Sequence, residues 1–256
     1  MSLFDDRQVF FGSLDGYPDL WLDHIAYCVP NPVELFSLLK SGLGADWGLW
    51  ELNGEFGGVQ VVFANGLKLE VIHPNTQSEN HFTNLFIARK GVGVHHLTYR
   101  VRDINTVISR ALELAIPLIQ ISLENPLWRE VFIHPKVACG ILVQIAECPV
   151  AKWTEPEPEW KGLAYSLQRD LIRIEHLVTD RAATERIFID LLGGGLTQQL
   201  EDGSFELTWN EKRTIRFIPT LALAAGHQAI VVSGEYDAEV VELFNLKFGS
   251  QLKMEE

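Results

Sequence analysis

A strand–helix–hairpin unit occurs twice in the first 148 residues of this chain, and this repeat limits the possible folds more than any other feature. The first unit opens with the apolar strand LDHIAYCV at residues 22–29, and the second opens with VHHLTYRV at residues 94–101. Apolar residues at helical spacing follow each strand. The period is about 72 residues, measured from His24 to His96. Such units bury their apolar faces by packing on each other, so we expect them to pair.

A pair of antiparallel strands is predicted after each helix. In the first unit, GVQVVF and LKLEVI flank Asn65 and Gly66, a dipeptide typical of a tight β-hairpin. In the second unit, EVFIHP and ILVQIA flank a turn between Lys136 and Gly140. Asp103 is suited to cap the second helix. Each unit is therefore predicted to have the order βαβββ.

The second half of the chain has a third and a fourth strand of the kind that begins each unit. They read LIRIEHLVT and GHQAIVVSG, and they follow a polar stretch that contains Glu-Pro-Glu-Pro-Glu. Polar segments rich in proline are extended, so this stretch is predicted to be a linker. Helices are predicted over 181–192 and 237–247, and strands over 204–210 and 213–219. The chain ends soon after the fourth helix, so we expect the fourth unit to lack its last strands.

These units predict an α+β fold. Paired βαβββ modules are expected to form a curled mixed sheet around a central cleft, with a second, degenerate and shortened copy. The expected organisation is an N-terminal extension over 1–20, a paired βαβββ domain over 21–148, a linker over 149–168 and the shortened domain over 169–256. The shortened domain is expected either to cover the first domain or to build a homodimer.

Composition and charge exclude several classes of function. The formal net charge of −13 opposes binding to nucleic acid, because phosphate backbones require a basic face. No apolar run is long enough to span a membrane. Cys28, Cys139 and Cys148 are an odd number of cysteines without CxxC spacing, which is typical of a reducing compartment. We therefore expect a cytoplasmic protein that acts on a small molecule.

Four polar residues lie at matching places in the first two units. His24 and His96 are in the opening strands, while Glu70 and Gln144 are in the last strands. Alternation along a strand turns such residues to one face and their apolar neighbours to the other. A pseudo-twofold between the units would bring all four side chains to one cleft. Two imidazoles, a carboxylate and an amide oxygen suit one divalent ion, such as Zn, Co, Ni, Mn or Fe, and leave a position open.

The motifs LDHIAYCVPN, LKLEVIHP, GVGVHHLTYRVRDIN and VFIHPKVACGILVQIAE resemble those of a known family, the vicinal oxygen chelate (glyoxalase/bleomycin resistance/dioxygenase) superfamily. Over residues 20–148 the chain is most similar to its methylmalonyl-CoA epimerase branch. The resemblance implies that His24, Glu70, His96 and Gln144 are metal-ligand positions. It also implies a metal-dependent isomerase, epimerase or lyase that acts on a carbonyl compound or thioester through a stabilised enolate.

The chain departs from this branch at the last ligand position. The branch usually has a Glu there that also handles a proton, whereas an amide such as Gln144 is not a base at neutral pH. The loop ENPLWREV is bulkier than the Gly-rich loop of the branch, so we expect a different substrate. Glu55 is our candidate for the catalytic carboxylate. Arg100 shares a strand face with His96 and is the candidate for binding an acidic group of the substrate.

Two other functions fit the same residues. An Fe(II)-dependent oxygenase would use His24, His96 and Glu70 as two histidines and one carboxylate. A non-catalytic protein that binds a small ligand would tolerate Gln144 in place of an acid. Metal identity and oxygen consumption would separate the oxygenase from the other two.

The second half repeats the predicted shape without the ligands. Alignment of its motifs puts His176 at the place of His24, and Ile215 at the place of Glu70. An isoleucine cannot bind a metal ion. We therefore predict one metal site in this chain rather than two.

Overall fold

Two mixed β-sheets, one in each half of the chain, carry the fold. The computed structural model describes residues 9–11, 19–52, 56–75, 81–148, 151–153, 168–210, 212–222 and 225–256. Its strands are β1 (Val9–Phe11), β2 (Leu20–Cys28), β3 (Asp46–Leu52), β4 (Phe56–Val62), β5 (Lys68–Pro74), β6 (Gly93–Val101), β7 (Leu118–Ser122), β8 (Arg129–Ile133), β9 (Leu142–Glu147), β10 (Ala151–Trp153), β11 (Leu171–Val178), β12 (Gly195–Gln199), β13 (Phe205–Trp209), β14 (Arg213–Pro219), β15 (Gly226–Ser233) and β16 (Gln251–Glu255). Its α-helices are α1 (Phe82–Lys90), α2 (Ile104–Glu113), α3 (Arg181–Glu185) and α4 (Ala238–Phe248). Short 3₁₀ or π turns cover Val33–Leu35, Leu38–Gly42 and Arg186–Leu191.

The first sheet has eight strands in the order β3-β4-β5-β2-β6-β9-β8-β7. The opening strands of the first two units, β2 and β6, are antiparallel neighbours at its centre. β5 lies parallel to β2, and β9 lies parallel to β6. The strand order is therefore the same from the centre of the sheet towards either edge. The prediction of an α+β fold built from paired βαβββ modules is confirmed.

The second sheet repeats this order in a shorter form, β12-β13-β14-β11-β15-β16. β11 and β15 are its antiparallel central pair, and β14 lies parallel to β11. β16 lies parallel to β15, as β9 lies parallel to β6. The fourth unit was expected to lack its last strands, and this expectation was wrong for β16. Gly249, at φ +58°, ends α4, and the residues that follow it include the five of β16, which pair with β15.

Several local predictions agree with the structure and two do not. Helices are present close to 181–192 and 237–247, as predicted. Asp103 caps α2, since its carboxylate accepts a hydrogen bond from the backbone N–H of Asn105 at 2.9 Å. The helix predicted after β2 is divided into two short turns, and α1 was not predicted.

The predicted ends of the domains are described only in part. Most of the expected N-terminal extension, residues 1–8 and 12–18, lies outside the described residues, and so do residues 149–150 and 154–167 of the expected linker. β1 and β10, which belong to these two segments, pair with each other as a short antiparallel sheet. The domain boundaries themselves stay predictions.

The two halves share one hydrophobic core. Tyr27 of β2 packs against Phe248 of α4, with ring centres 5.0 Å apart. Tyr99 of β6 packs against Trp209 of β13, with ring centres 5.2 Å apart. Each large side chain that is fully buried contributes roughly 1.5–3 kcal/mol. The second half thus covers the apolar side of the first sheet.

Alternation along the strands leaves the other side of the first sheet polar. Leu69, Val71, Val143 and Ile145 are fully buried in the core. Their sequence neighbours Glu70 and Gln144 therefore lie on the opposite side. We call this side the polar face, and its members discussed below are His24, Gln60, Glu70, His96, Thr98, Arg100, Glu130 and Gln144.

The expectations about membrane spans and cysteines can be compared with the described residues. In the part of the chain that is described, no helix is both long and apolar enough to cross a membrane. Cys28, Cys139 and Cys148 are all free thiols.

Candidate metal centre

Three side chains from neighbouring strands meet at the centre of the polar face. His24 comes from β2, Glu70 from β5 and His96 from β6. Oε2 of Glu70 is 3.2 Å from Nε2 of His24 and 3.7 Å from Nε2 of His96. One ligand atom of each residue lies within 4.8 Å of the others. Metal–ligand bonds of about 2.0–2.2 Å place neighbouring ligand atoms roughly 3–4 Å apart, so these three residues could hold one ion.

The burial of these atoms favours a bound cation. His24 is only 2% exposed and His96 only 7% exposed. Nε2 of His24 is enclosed and lies 3.2 Å from the carboxylate oxygen Oε2 of Glu70. A cation at this point, either a proton shared by the two atoms or a metal ion bound to both, offsets the cost of burying them. The residues present therefore fit a divalent ion.

The protonation states also suit metal binding. Burial alone would raise the pKa of Glu70, but the charge and the hydrogen bond of His24 lower it to about 2. Burial, reinforced by the neighbouring His95, holds the pKa of His96 well below its usual range. At neutral pH Glu70 is therefore a carboxylate and His96 a neutral imidazole, and these are the forms that bind metal ions. Burial would lower the pKa of His24, but the charge of Glu70 and the hydrogen bond to Asp23 raise it, so a metal ion would have to displace a proton from this imidazole.

Asp23 orients the first histidine. Its carboxylate is buried, and Oδ2 lies 2.9 Å from Nδ1 of His24. Nζ of Lys68 donates to both carboxylate oxygens, at 2.9 and 3.0 Å. Burial would raise the pKa of Asp23, but Lys68 and His24 lower it well below the usual range. The ionised carboxylate holds a hydrogen on Nδ1, so Nε2 is the nitrogen that would bind a metal ion beside Glu70.

The second histidine is oriented by another imidazole. Nδ1 of His96 lies 2.8 Å from Nδ1 of His95, so one nitrogen donates and the other accepts. If Nε2 of His96 binds a metal ion, its Nδ1 carries the hydrogen and His95 accepts it. The His95 ring packs against Phe82 and Phe86 of α1, with ring centres 5.5 and 4.9 Å away. Burial lowers the pKa of His95 to about 4, which keeps it a neutral acceptor at pH 7.

We expect Asp23→Asn to weaken metal binding by about 10- to 100-fold, because an amide lacks the charge that holds the His24 ring in place. Calorimetric titration of chelator-treated protein with Zn²⁺ measures this loss. Glu175→Gln is the matched control, since Glu175 is a buried acid directly before His176 in the second sheet. Equal losses of affinity in the two variants would contradict a specific role for Asp23.

Gln144, the fourth predicted ligand, lies on β9 beside Thr98 of β6. The Thr98 hydroxyl donates to its Oε1 at 2.6 Å, and its Nε2 donates to Oε2 of Glu130 at 2.7 Å. The amide orientation is thus set by two neighbours on the polar face. Its role as a metal ligand stays a prediction.

Arg100 and Glu55 were the other predicted site residues. Arg100 lies on the polar face, and its guanidinium donates to the backbone oxygen of Cys148 at 3.0 Å. It also lies 5.7 Å from the centre of the Trp128 ring. Its Nε is buried and has no hydrogen-bond partner among the residues described. Glu55 lies outside the described residues, so its predicted role stays a prediction.

Ion pairs occupy the corresponding face of the second sheet. The aligned counterparts of the ligands, His176 and Ile215, are fully buried on the apolar side instead. Both central strands are irregular, but at different points: β2 has register shifts between Leu22 and His24 and between Ala26 and Tyr27, whereas β11 has them between Leu171 and Arg173 and between Glu175 and His176. Glu175 contacts Arg173 at 3.1 Å and Lys253 at 2.6 Å. His176 therefore matches His24 in the alignment, but its side chain lies on the other side of its sheet.

Paired βαβββ modules with two histidines and a carboxylate at the centre of the sheet define a protein of the glyoxalase-like class. The chain belongs to the Glyoxalase/Bleomycin resistance protein/Dioxygenase superfamily, whose family profile matches residues 23–128. The mitochondrial methylmalonyl-CoA epimerase of Dictyostelium discoideum is 30% identical over 132 residues, which cover 49% of this chain and 77% of that protein.

Two solved structures are similar to nearly the whole chain. A hypothetical protein from Staphylococcus aureus has a TM-score of 0.58 at 11% identity, and the match covers 86% of this chain and 93% of that one. A triple mutant of 4-hydroxymandelate synthase from Streptomyces coelicolor has a TM-score of 0.60 at 9% identity, over 90% of this chain and 75% of that one. At these identities the similarity concerns the fold of both halves and not the activity.

Proposed function

We propose that this protein is a divalent-metal-dependent enzyme that acts on a small carbonyl compound or thioester as an epimerase, isomerase or lyase. The observation that carries the proposal is the group of His24, Glu70 and His96, whose ligand atoms lie within 4.8 Å of one another on the polar face. A divalent ion held by these residues, with Gln144 as a fourth ligand, would polarise a carbonyl oxygen and stabilise the enolate.

The remaining residues of the polar face bind and orient. Asp23 and His95 fix the two imidazoles through their Nδ1 atoms. Arg100 offers a guanidinium on the same strand face as His96, where it would bind an acidic group of the substrate. The name of the Dictyostelium relative supports an acyl thioester with a carboxylate, since methylmalonyl-CoA has both groups.

A second candidate is an Fe(II)-dependent oxygenase. Two histidines and one carboxylate are the ligand set that such enzymes use, and His24, His96 and Glu70 have this composition. The proposal of proton transfer is preferred because the relative at 30% identity is named as an epimerase. A binding protein without turnover is the third possibility, and the same experiment addresses it.

Exchange of carbon-bound hydrogen for deuterium tests the proposed function. Protein loaded in turn with Zn²⁺, Co²⁺, Ni²⁺, Mn²⁺ and Fe²⁺ would be incubated in deuterated water with methylmalonyl-CoA, propionyl-CoA or 2-oxobutyrate, and proton NMR would follow the hydrogen next to the carbonyl. We expect exchange of at least one of them above the rate without protein, lost on chelation and restored by the metal.

Other outcomes lead to different conclusions. Oxygen consumption with Fe²⁺ alone, without exchange, would favour the oxygenase. Metal binding without exchange of any of the three compounds, and without oxygen uptake, would overturn the enzymatic proposal and leave a binding protein.

A further inference from the structure

Glu130 is a second carboxylate on the polar face, and no sequence motif pointed to it. It lies on β8, where Val131 and Ile133 are buried in the core, so Glu130 itself is on the polar side. Its side chain is half-buried, within reach of solvent. It is hydrogen-bonded to Gln144, the residue at the position where an acid is expected.

The two halves of the first sheet each pair one carboxylate with one amide, but in reversed order. On β4 and β5, Nε2 of Gln60 donates to Oε1 of Glu70 at 3.0 Å, so the inner strand carries the acid. On β8 and β9, Nε2 of Gln144 donates to Oε2 of Glu130 at 2.7 Å, so the outer strand carries the acid. The acid that is missing from the inner strand β9 is therefore present on the neighbouring outer strand, β8.

The two oxygens of Glu130 have different surroundings. Oε2 accepts hydrogen bonds from Gln144 and from Nε1 of Trp128, the latter at 2.8 Å. Oε1 accepts none from any residue that the structure describes. Two donors on one oxygen hold the carboxylate in a single orientation and leave the other oxygen ready to take a proton.

The neighbours of Glu130 fit a reacting substrate. Arg100 lies in the same row of the sheet, because Ala146 of β9 pairs with Arg100 on one side and with Glu130 on the other. The Arg100 guanidinium also lies over the ring of Trp128, which donates to Glu130. An acidic group bound at Arg100 would thus bring the adjacent carbon close to the carboxylate.

We infer that Glu130 is the proton-transfer residue of this site and takes the role that Gln144 cannot fill. The inference rests on the proposed function. The bond between hydrogen and the carbon next to the carbonyl breaks, the proton moves to Oε1 of Glu130, and the electron pair moves onto the carbonyl oxygen. Return of a proton from Glu130 to the same face restores the starting compound with exchange of its hydrogen, whereas epimerisation requires a second group that donates a proton to the opposite face; neither outcome needs an oxidant.

Glu130→Gln tests this role, because the amide keeps the size of the side chain but cannot accept the proton. We expect the rate of deuterium exchange for the compound that the wild type processes to fall by roughly 100-fold or more. Metal content, measured by elemental analysis, should stay at the wild-type value. Glu130→Asp keeps the acid and should have an intermediate rate. Glu124→Gln, which changes an exposed acid six residues earlier, is the control and should match the wild type.

Three results would overturn the inference. Exchange by Glu130→Gln within threefold of the wild-type rate would remove Glu130 from the reaction and leave the proposed function intact. Loss of metal together with loss of exchange would show that Glu130 acts by positioning Gln144. Absence of exchange by the metal-loaded wild type with all three compounds would end the proposed function, and the role of Glu130 with it.

Discussion

Glu70→Ala should remove the divalent ion from the purified protein. Glu70 is the only acid in the group, and it contacts both imidazoles at 3.2 and 3.7 Å. Loss of an outer-shell partner weakens metal binding by roughly 10- to 100-fold, and loss of a direct carboxylate ligand should weaken it further. Elemental analysis after dialysis measures the metal content, and titration with Zn²⁺ measures the affinity.

Glu206→Ala is the matched control for this variant. Glu206 lies on β13 of the second sheet, its side chain is 15% exposed against 16% for Glu70, and it is paired with Arg216. It should keep the wild-type metal content even if its stability decreases. Wild-type affinity in Glu70→Ala, with both variants folded by circular dichroism, would show that the ion binds elsewhere.

Gly140→Ala should strongly destabilise the packing of the second half against the first. Gly140 has φ +92°, which favours glycine, and a Cβ atom there would lie 2.3 Å from the backbone oxygen of Ala225. Neither backbone can yield without moving a strand end. We expect a loss of about 2–6 kcal/mol in the free energy of unfolding, from backbone strain and overpacking together. Urea unfolding followed by circular dichroism measures it.

Gly91→Ala separates the two causes of that loss. Gly91 has φ +77°, and nothing lies within 4 Å of the position of its Cβ atom. This variant should lose only the contribution of backbone strain, about 1–3 kcal/mol. Equal losses in the two variants would mean that the close approach to Ala225 does not matter to stability.

The repeat was the part of the fold that sequence could predict. Matching openings around His24 and His96 indicated two equal units, and equal units with matching apolar faces pair around a pseudo-twofold. The same symmetry suggested that Glu70 would approach both histidines, and the structure brings these three together. Helix α1 was missed, because it lies between the repeated elements and has no strong apolar periodicity.

The surroundings of the site could not be predicted in the same way. Asp23 directly precedes a ligand, and simple alternation would turn it to the apolar side. A register shift between Leu22 and His24 lets it reach Nδ1 of His24 instead. Glu130 was predicted both as the first residue of the strand EVFIHP and as part of the bulky loop ENPLWREV, but its contact with Gln144 depends on the pairing of β8 with β9.

The amino-acid sequence by itself determined the modules, their number and which residues of each strand are apolar, because these features depend on local periodicity. The tertiary structure decided which polar atoms meet. Irregularities in strand register and contacts between distant strands set side-chain direction, and these differ between His24 and its aligned counterpart His176. For this reason the first sheet has a candidate metal centre, whereas the aligned positions of the second lie in the core.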